Sequence, residues 1–206
     1  MQRKNKIVIG IDQSYKDSGI TISLNNEVKT VTDCYTEKMK NNTEKRIALR
    51  GCLINVINLV KKKSNELEDC EVICIVERIR LQSQGFINID YIKSIGALNS
   101  LIVDLMKEND IPVYSVDTRA WKSAIVGNSK GKKNKYGIDE KKWPTILWCV
   151  SKGYKKHIIE YDVSPKKKKG VIEKNGERYT YNDNRADSIC ISLYGFVHKP
   201  LLKEEH

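Results

Sequence analysis

Residues 7–34 read IVIGIDQSYKDSGITISLNNEVKTVTDC, and the fold reading turns on them. Ile7–Ile11 is a short run dominated by β-branched residues, which predicts a strand, and it runs straight into Asp12. Gly19–Leu24 and Glu27–Cys34 are two further strand-like runs. Asn25-Asn26 joins them, a pair that tolerates the left-handed backbone of a tight hairpin. The three runs predict an antiparallel meander.

Beyond Cys34 the periodicity becomes helical. Leu53, Val56, Ile57 and Val60 fall at i, i+3, i+4 and i+7, with Thr43 as the expected cap and Lys61-Lys62-Lys63 in the last turn, where the helix dipole favours cations. Val72–Val76 is continuously apolar, as a strand buried on both faces would be, and it ends at Glu77. A second helix is marked by Ile92, Ile95, Leu98, Ile102 and Leu105; Ile87, Ile89, Tyr91 and Leu101 lie beyond its stripe, as a self-complementary face or a thicker core. Val113–Val116 is a fifth strand, a helix is expected around Trp143–Val150, and a last helix from about Asn184 carries Ala186, Ile189, Cys190, Leu193 and Val197. This order predicts an α/β fold, a mixed five-stranded sheet with helices on both faces. Residues 1–206 read as one domain with a basic insertion at about 152–182, where Ser-Pro and Asn-Gly turn signals suggest a protruding hairpin or loop.

Thirty-seven Lys plus Arg against twenty-six Asp plus Glu give a formal charge of +11, which suits a polyanionic partner or, as the alternative, solubility supplied by lysine. The six cysteines, Cys34, Cys52, Cys70, Cys74, Cys149 and Cys190, form no CxxC pair; they read as buried thiols in a reducing cytoplasm, against a structural zinc site. The basic opening, MQRKNKIVIGID, has too short an apolar run for a signal peptide, and no run approaches the ~18 apolar residues of a membrane span.

Three acids stand out by position. Asp12 and Glu77 each close an apolar strand, where an open α/β sheet has its crevice, and Asp187 lies on the last helix beside its apolar stripe. Carboxylates so placed are costly unless paired or metal-bound, and together they repel. A divalent cation resolves that repulsion, and carboxylate oxygen is what Mg²⁺ and Mn²⁺ prefer. Two such ions about 4 Å apart can activate a water and stabilise the leaving oxygen in phosphodiester hydrolysis.

Four motifs, in order along most of the chain, resemble the RuvC-type Holliday junction resolvases of the ribonuclease H-like superfamily, with the RuvC-like resolvases of lactococcal bacteriophages the nearest likeness. IGIDQSYKDSGITI resembles their first hairpin, which makes Asp12 the metal-binding aspartate. ICIVERIRLQSQ resembles the strand ending in their catalytic glutamate, here Glu77. TRAWKSAIVGNSKGKKN is similar to a Val-Lys…Val-Gly…Lys segment and places lysines at Lys122 and Lys133. NRADSICIS resembles the closing helix and places an aspartate at Asp187. The resemblance implies a ribonuclease H-like fold, a structure-selective endonuclease using Mg²⁺ or Mn²⁺, and a two-fold homodimer acting on four-way DNA in the cytoplasm, the host's if phage-encoded. The sequence departs from the pattern three residues before Asp187, where an acid or histidine is expected and Asn184 stands. Asp183, one turn before Asp187, is taken as the fourth ligand, with Asn184 as helix cap or outer donor.

Arg119, Lys122, Lys130, Lys132 and Lys133 form a phosphate-gripping stretch, with Lys122 assigned to the scissile phosphate; Lys155, Lys156 and Lys166–Lys169 are a second basic cluster. By resemblance the loop after Glu77 carries an aromatic that stacks at the junction centre; Phe86 fills that place, and a helix-start packing role is the alternative. Other readings remain at this point: the same chemistry on flaps, other branched DNA or RNA–DNA hybrids, or a DNA-binding module without catalysis. An actin-like ATPase shares the first hairpin but needs a second domain repeat that 206 residues do not supply.

Overall fold

β1 (Asn5–Asp12), β2 (Asp17–Leu24) and β3 (Glu27–Tyr35) form the expected meander, with Ile7 opposite Leu24 and Asp12 opposite Gly19. Asn25 (φ 50°) and Asn26 (φ 67°) both take the left-handed conformation, whose twist matches that of the flanking strands. The structure is a computed structural model describing residues 4–14, 16–35, 39–78, 89–127, 134–161, 163, 170–197 and 203–204. β4 (Cys70–Glu77) lies parallel to β1 on its other side, with Ile11 opposite Val76, and β5 (Val113–Val116) is parallel to β4. The helices α1 (Asn42–Asn65) and α2 (Ile89–Lys107) precede β4 and β5. The predicted five strands stand in the order β3-β2-β1-β4-β5, and a two-residue strand at Lys203–Glu204 adds a sixth at the β5 edge.

Strand alternation sorts the core into two layers. Ile7, Ile9, Ile11, Cys74 and Val76 pack against α1 and α2, whereas Val8, Ile73 and Ile75 face Ile189, Cys190, Leu193 and Tyr194 of the last helix. Leu101 is 8% exposed and belongs to the first core layer, so it does not supply a dimer face, while Ile89 remains largely exposed. The cap of α1 is Asn41, not Thr43: its side chain accepts from the Glu44 amide at 2.9 Å, and Glu44 in turn accepts from the Lys40 amide.

After β5 the chain forms α3 (Thr118–Trp121), a π-helical turn (Lys122–Val126), α4 (Trp143–Ser151), α5 (Lys155–Ile158) and α6 (Asp183–Val197). Between α5 and α6 lies a second, three-stranded sheet of β6 (Ile159–Glu160), β7 (Val171–Lys174) and β8 (Glu177–Tyr181), in the order β6-β8-β7. The hairpin expected here is β7–β8, turned by Asn175 (φ 53°) and Gly176 (φ 79°).

α6 lies unusually close to the sheet. A Cβ on Gly10 would sit 2.5 Å from the Ser192 amide nitrogen, and one on Gly19 2.1 Å from the Asn184 carbonyl oxygen. Two hydroxyl pairs, Thr21 with Ser188 and Ser23 with Ser192, each 2.8 Å, replace apolar contact along this seam. The six cysteines are free thiols. No helix among the described residues is long and apolar enough to cross a membrane.

Candidate functional site

Period-two alternation puts Asp12 on the face of β1 that carries Val8, and Glu77 on the face of β4 that carries Ile73 and Ile75. Both acids therefore emerge toward α6 at neighbouring strand ends, since Ile11 and Val76 are register partners. Asp187, one turn into α6 and 9% exposed, completes the crevice. The three act on one another electrostatically. Burial, followed by the charges of Asp187, Glu77 and Asp183, holds Asp12 well above the ordinary aspartate range. Burial pushes Asp187 up to about 7, with Lys122 opposing and Glu77 and Asp183 reinforcing the rise.

Two lysines face these acids. Lys122 Nζ is 3.9 Å from Asp187 Oδ2 and lies over the Trp121 ring, 5.0 Å from its centroid. Lys142, at the entry to α4, pairs with Asp183. Burial works against the Lys142 charge, but Asp183, Asp187 and Asp12 raise its pKa overall. Lys142 lies outside the phosphate-gripping residues read from the sequence. Its signal was Trp143-Pro144 just after it, since proline in the first turn marks a helix start.

The start of α6 corrects one assignment. Asn182, not Asn184, caps the helix, accepting from the Arg185 amide at 2.9 Å. Asn184 Nδ2 donates to the Asp17 main-chain oxygen at 2.6 Å, so it ties α6 to β2. Asp183 adds its charge to that of Glu77 on Asp187, and its own carboxylate pairs with Lys142. Arg119 is exposed on α3, where the Asp117 side chain accepts from its amide at 2.8 Å. Phe86, Lys130, Lys132 and Lys133 lie outside the described residues, as do Ile87 and Lys166–Lys169.

A different set of carboxylates, Asp17, Asp33 and Glu160, has oxygens all within 4.8 Å of one another. The Asn182 amide nitrogen lies 2.8–3.2 Å from one oxygen of each residue, and Arg185 bonds Asp33 through two nitrogens at 2.5 and 3.0 Å, while Asp17 Oδ1 is buried without a hydrogen-bond partner among the described residues. This set clasps the β2–β3 hairpin to the start of α6. Among the described residues, the cations paired with the acids around Asp12 are Lys122, beside Asp187, and Lys142, beside Asp183. Asp187 Oδ1 is fully buried there without a hydrogen-bond partner among the described residues. With Asp12, Glu77 and Asp183 beside it, this oxygen is of the ligand type a divalent cation takes, although among the described residues no three of these four carboxylates bring an oxygen each within 4.8 Å of one another.

No family model matches the chain, and no curated protein matches it. Among solved structures it is similar to Thermus thermophilus RuvC, with 14% identity and a TM-score of 0.58 over 97% of this chain and 99% of that one. It is also similar to T. thermophilus RuvC in complex with a Holliday junction substrate, with 13% identity, a TM-score of 0.59 and the same coverage. The fold is ribonuclease H-like. In such a sheet the strand ends carrying Asp12 and Glu77 open onto the crevice where ligands of α/β folds bind.

Proposed function

We propose that this chain is a divalent-metal-dependent endodeoxyribonuclease that resolves four-way (Holliday) junctions. The observation that supports this best is the convergence of Asp12 and Glu77, at neighbouring strand ends, with Asp187 on the facing helix, where Lys122 lies beside Asp187 and Lys142 beside Asp183. Asp12, Glu77, Asp187 and Asp183 would hold a pair of Mg²⁺ or Mn²⁺ ions. Such ions, when bound, supply a more acidic attacking water and charge compensation at the leaving oxygen.

The chain's own groups do the rest. The four carboxylates fix the position and sign of the crevice and repel a bare phosphate, so cutting depends on their neutralisation. Lys122 reaches in from the π-helical turn, where its ammonium stabilises charge developing on the scissile phosphate. Arg119, Lys130, Lys132 and Lys133 add phosphate contacts without sequence reading, and Phe86 stacks at the junction centre. The overall charge of +11 supports a nucleic-acid partner. A homodimer matches the two symmetric nicks that a four-way junction requires. We assign the protein to the cytoplasm, the host's if it is phage-encoded, and residues 152–182 to an appended basic unit of a single domain.

The deciding experiment compares labelled four-way junction, flap, linear duplex and RNA–DNA hybrid, with Mg²⁺ and with chelator, for the parent and Asp12→Asn. The proposal requires metal-dependent cutting of the junction above the other substrates, and an Asp12→Asn protein that binds the junction without cutting it. Equal cutting of all four substrates would refute junction selectivity. Junction binding with no cutting under any metal condition would leave a DNA-binding module.

A further inference from the structure

Both oxygens of Glu77 are engaged by donors from a single four-residue helix. Thr118 Oγ1 donates to Oε1 at 2.5 Å, and Trp121 Nε1 donates to Oε2 at 3.1 Å. Trp121 is fully buried and packs in the core layer beneath α6, so its indole N–H has a fixed direction. Thr118 is the first residue of α3, whose cap is the Asp117 side chain. A single helical turn therefore sets the plane of the Glu77 carboxylate, and Lys122 follows immediately after.

The donors are neutral. A cation paired to Glu77 would cancel the charge a metal needs, and the neighbouring Arg78 is directed elsewhere, to Ser115 Oγ at 3.1 Å. A carboxylate offers about four lone-pair sites, so one donor on each oxygen leaves acceptor capacity on both. We infer that Thr118 and Trp121 are positioning residues for Glu77, holding its carboxylate in one orientation and leaving its charge for a divalent cation. The inference rests on the proposed metal crevice. It names residues that neither the acidic motif nor composition singles out: Trp121 is a core residue, but a buried indole also needs an acceptor.

The test is Mn²⁺ binding to the full chain without DNA, followed by electron paramagnetic resonance. The proteins are the parent, Thr118→Val, Thr118→Ser, Trp121→Phe and Glu77→Gln, with thermal melts measured in parallel. Loss of a donor behind a metal ligand costs about 10–100-fold in affinity. Thr118→Val and Trp121→Phe are therefore each expected to weaken Mn²⁺ binding by about that factor, and Thr118→Ser, which keeps the hydroxyl, to bind like the parent. Folded Thr118→Val and Trp121→Phe proteins that bind Mn²⁺ like the parent would overturn the inference, even with lowered melting temperatures. If Trp121→Phe fails to fold, the Thr118→Val and Thr118→Ser pair decides alone. Glu77→Gln separates the two levels: if it too binds Mn²⁺ like the parent, the metal crevice itself is refuted; if it alone loses binding, only the positioning role falls.

Discussion

Asp187 carries a charge that the folded chain disfavours. Its carboxyl titrates at about 7 in the fold against 3.8 ordinarily, with burial as the largest cause, and Asp12 is raised in the same direction. Without metal, the native state therefore binds more protons than the unfolded chain between about pH 4 and pH 7, and stability falls as pH rises through that window. Thermal melts of the metal-free protein should show this decline. Asp187→Asn should flatten it and raise the melting temperature at pH 8, and Mg²⁺ should raise the parent's there; an unchanged slope in Asp187→Asn would remove the carboxylate as its source. Asp183 and Asn184 divide differently. Asp183→Asn should need far more metal for cleavage or be inactive. Asn184→Ala should lose only the bond to the Asp17 carbonyl, about 1 kcal/mol of stability, and cut nearly as the parent does. A dead Asn184→Ala beside a normal Asp183→Asn would reverse the assignment.

Element packing decides where those residues stand. α6 reaches β1 and β2 because Gly10 and Gly19 carry no side chain against its backbone. Gly10→Ala places a methyl 2.5–2.7 Å from backbone atoms of Ser188 and Ser192, which cannot give way as a flexible side chain would. That overpacking should cost about 1–3 kcal/mol and displace Asp187 from Asp12, so cleavage should fall more than junction binding. Equal stability and activity in Gly10→Ala would show that the seam is not what brings the two acids together. Asn182 does a related task at the helix start, capping α6 while its amide nitrogen sits within hydrogen-bond distance of one oxygen each of Asp17, Asp33 and Glu160.

For the molecule as a whole, charge is the dominant variable. If six to ten phosphates are neutralised, junction affinity should fall on the order of 10³–10⁵-fold between 50 and 200 mM salt. Lys155 and Lys156 are exposed on α5, at the entry to the small sheet. Replacing each with alanine should weaken binding uniformly across sequences and reduce the salt slope by about one per lysine if the insertion tracks a DNA arm. A salt slope unchanged in both variants would confine the DNA footprint to the main sheet.

The sequence alone determined the meander, the buried β4, the α/β architecture with helices on both faces of the sheet and the acids at the strand ends. All of these follow from local periodicity: an apolar run ending in one carboxylate is legible without knowing its neighbours. It also carried Asp187, because that acid lies beside a helical apolar stripe. What it could not determine was partnership across the fold. Lys142 meets Asp183, and Thr118 and Trp121 meet Glu77, over about forty residues of intervening chain. The cap of α6 fell to Asn182 and not Asn184 because the helix begins where the Gly19 seam and the clasp at Asp33 allow it to dock. Hydrogen-bond partners and helix ends are settled by which surfaces touch, and only the tertiary structure brings those surfaces together.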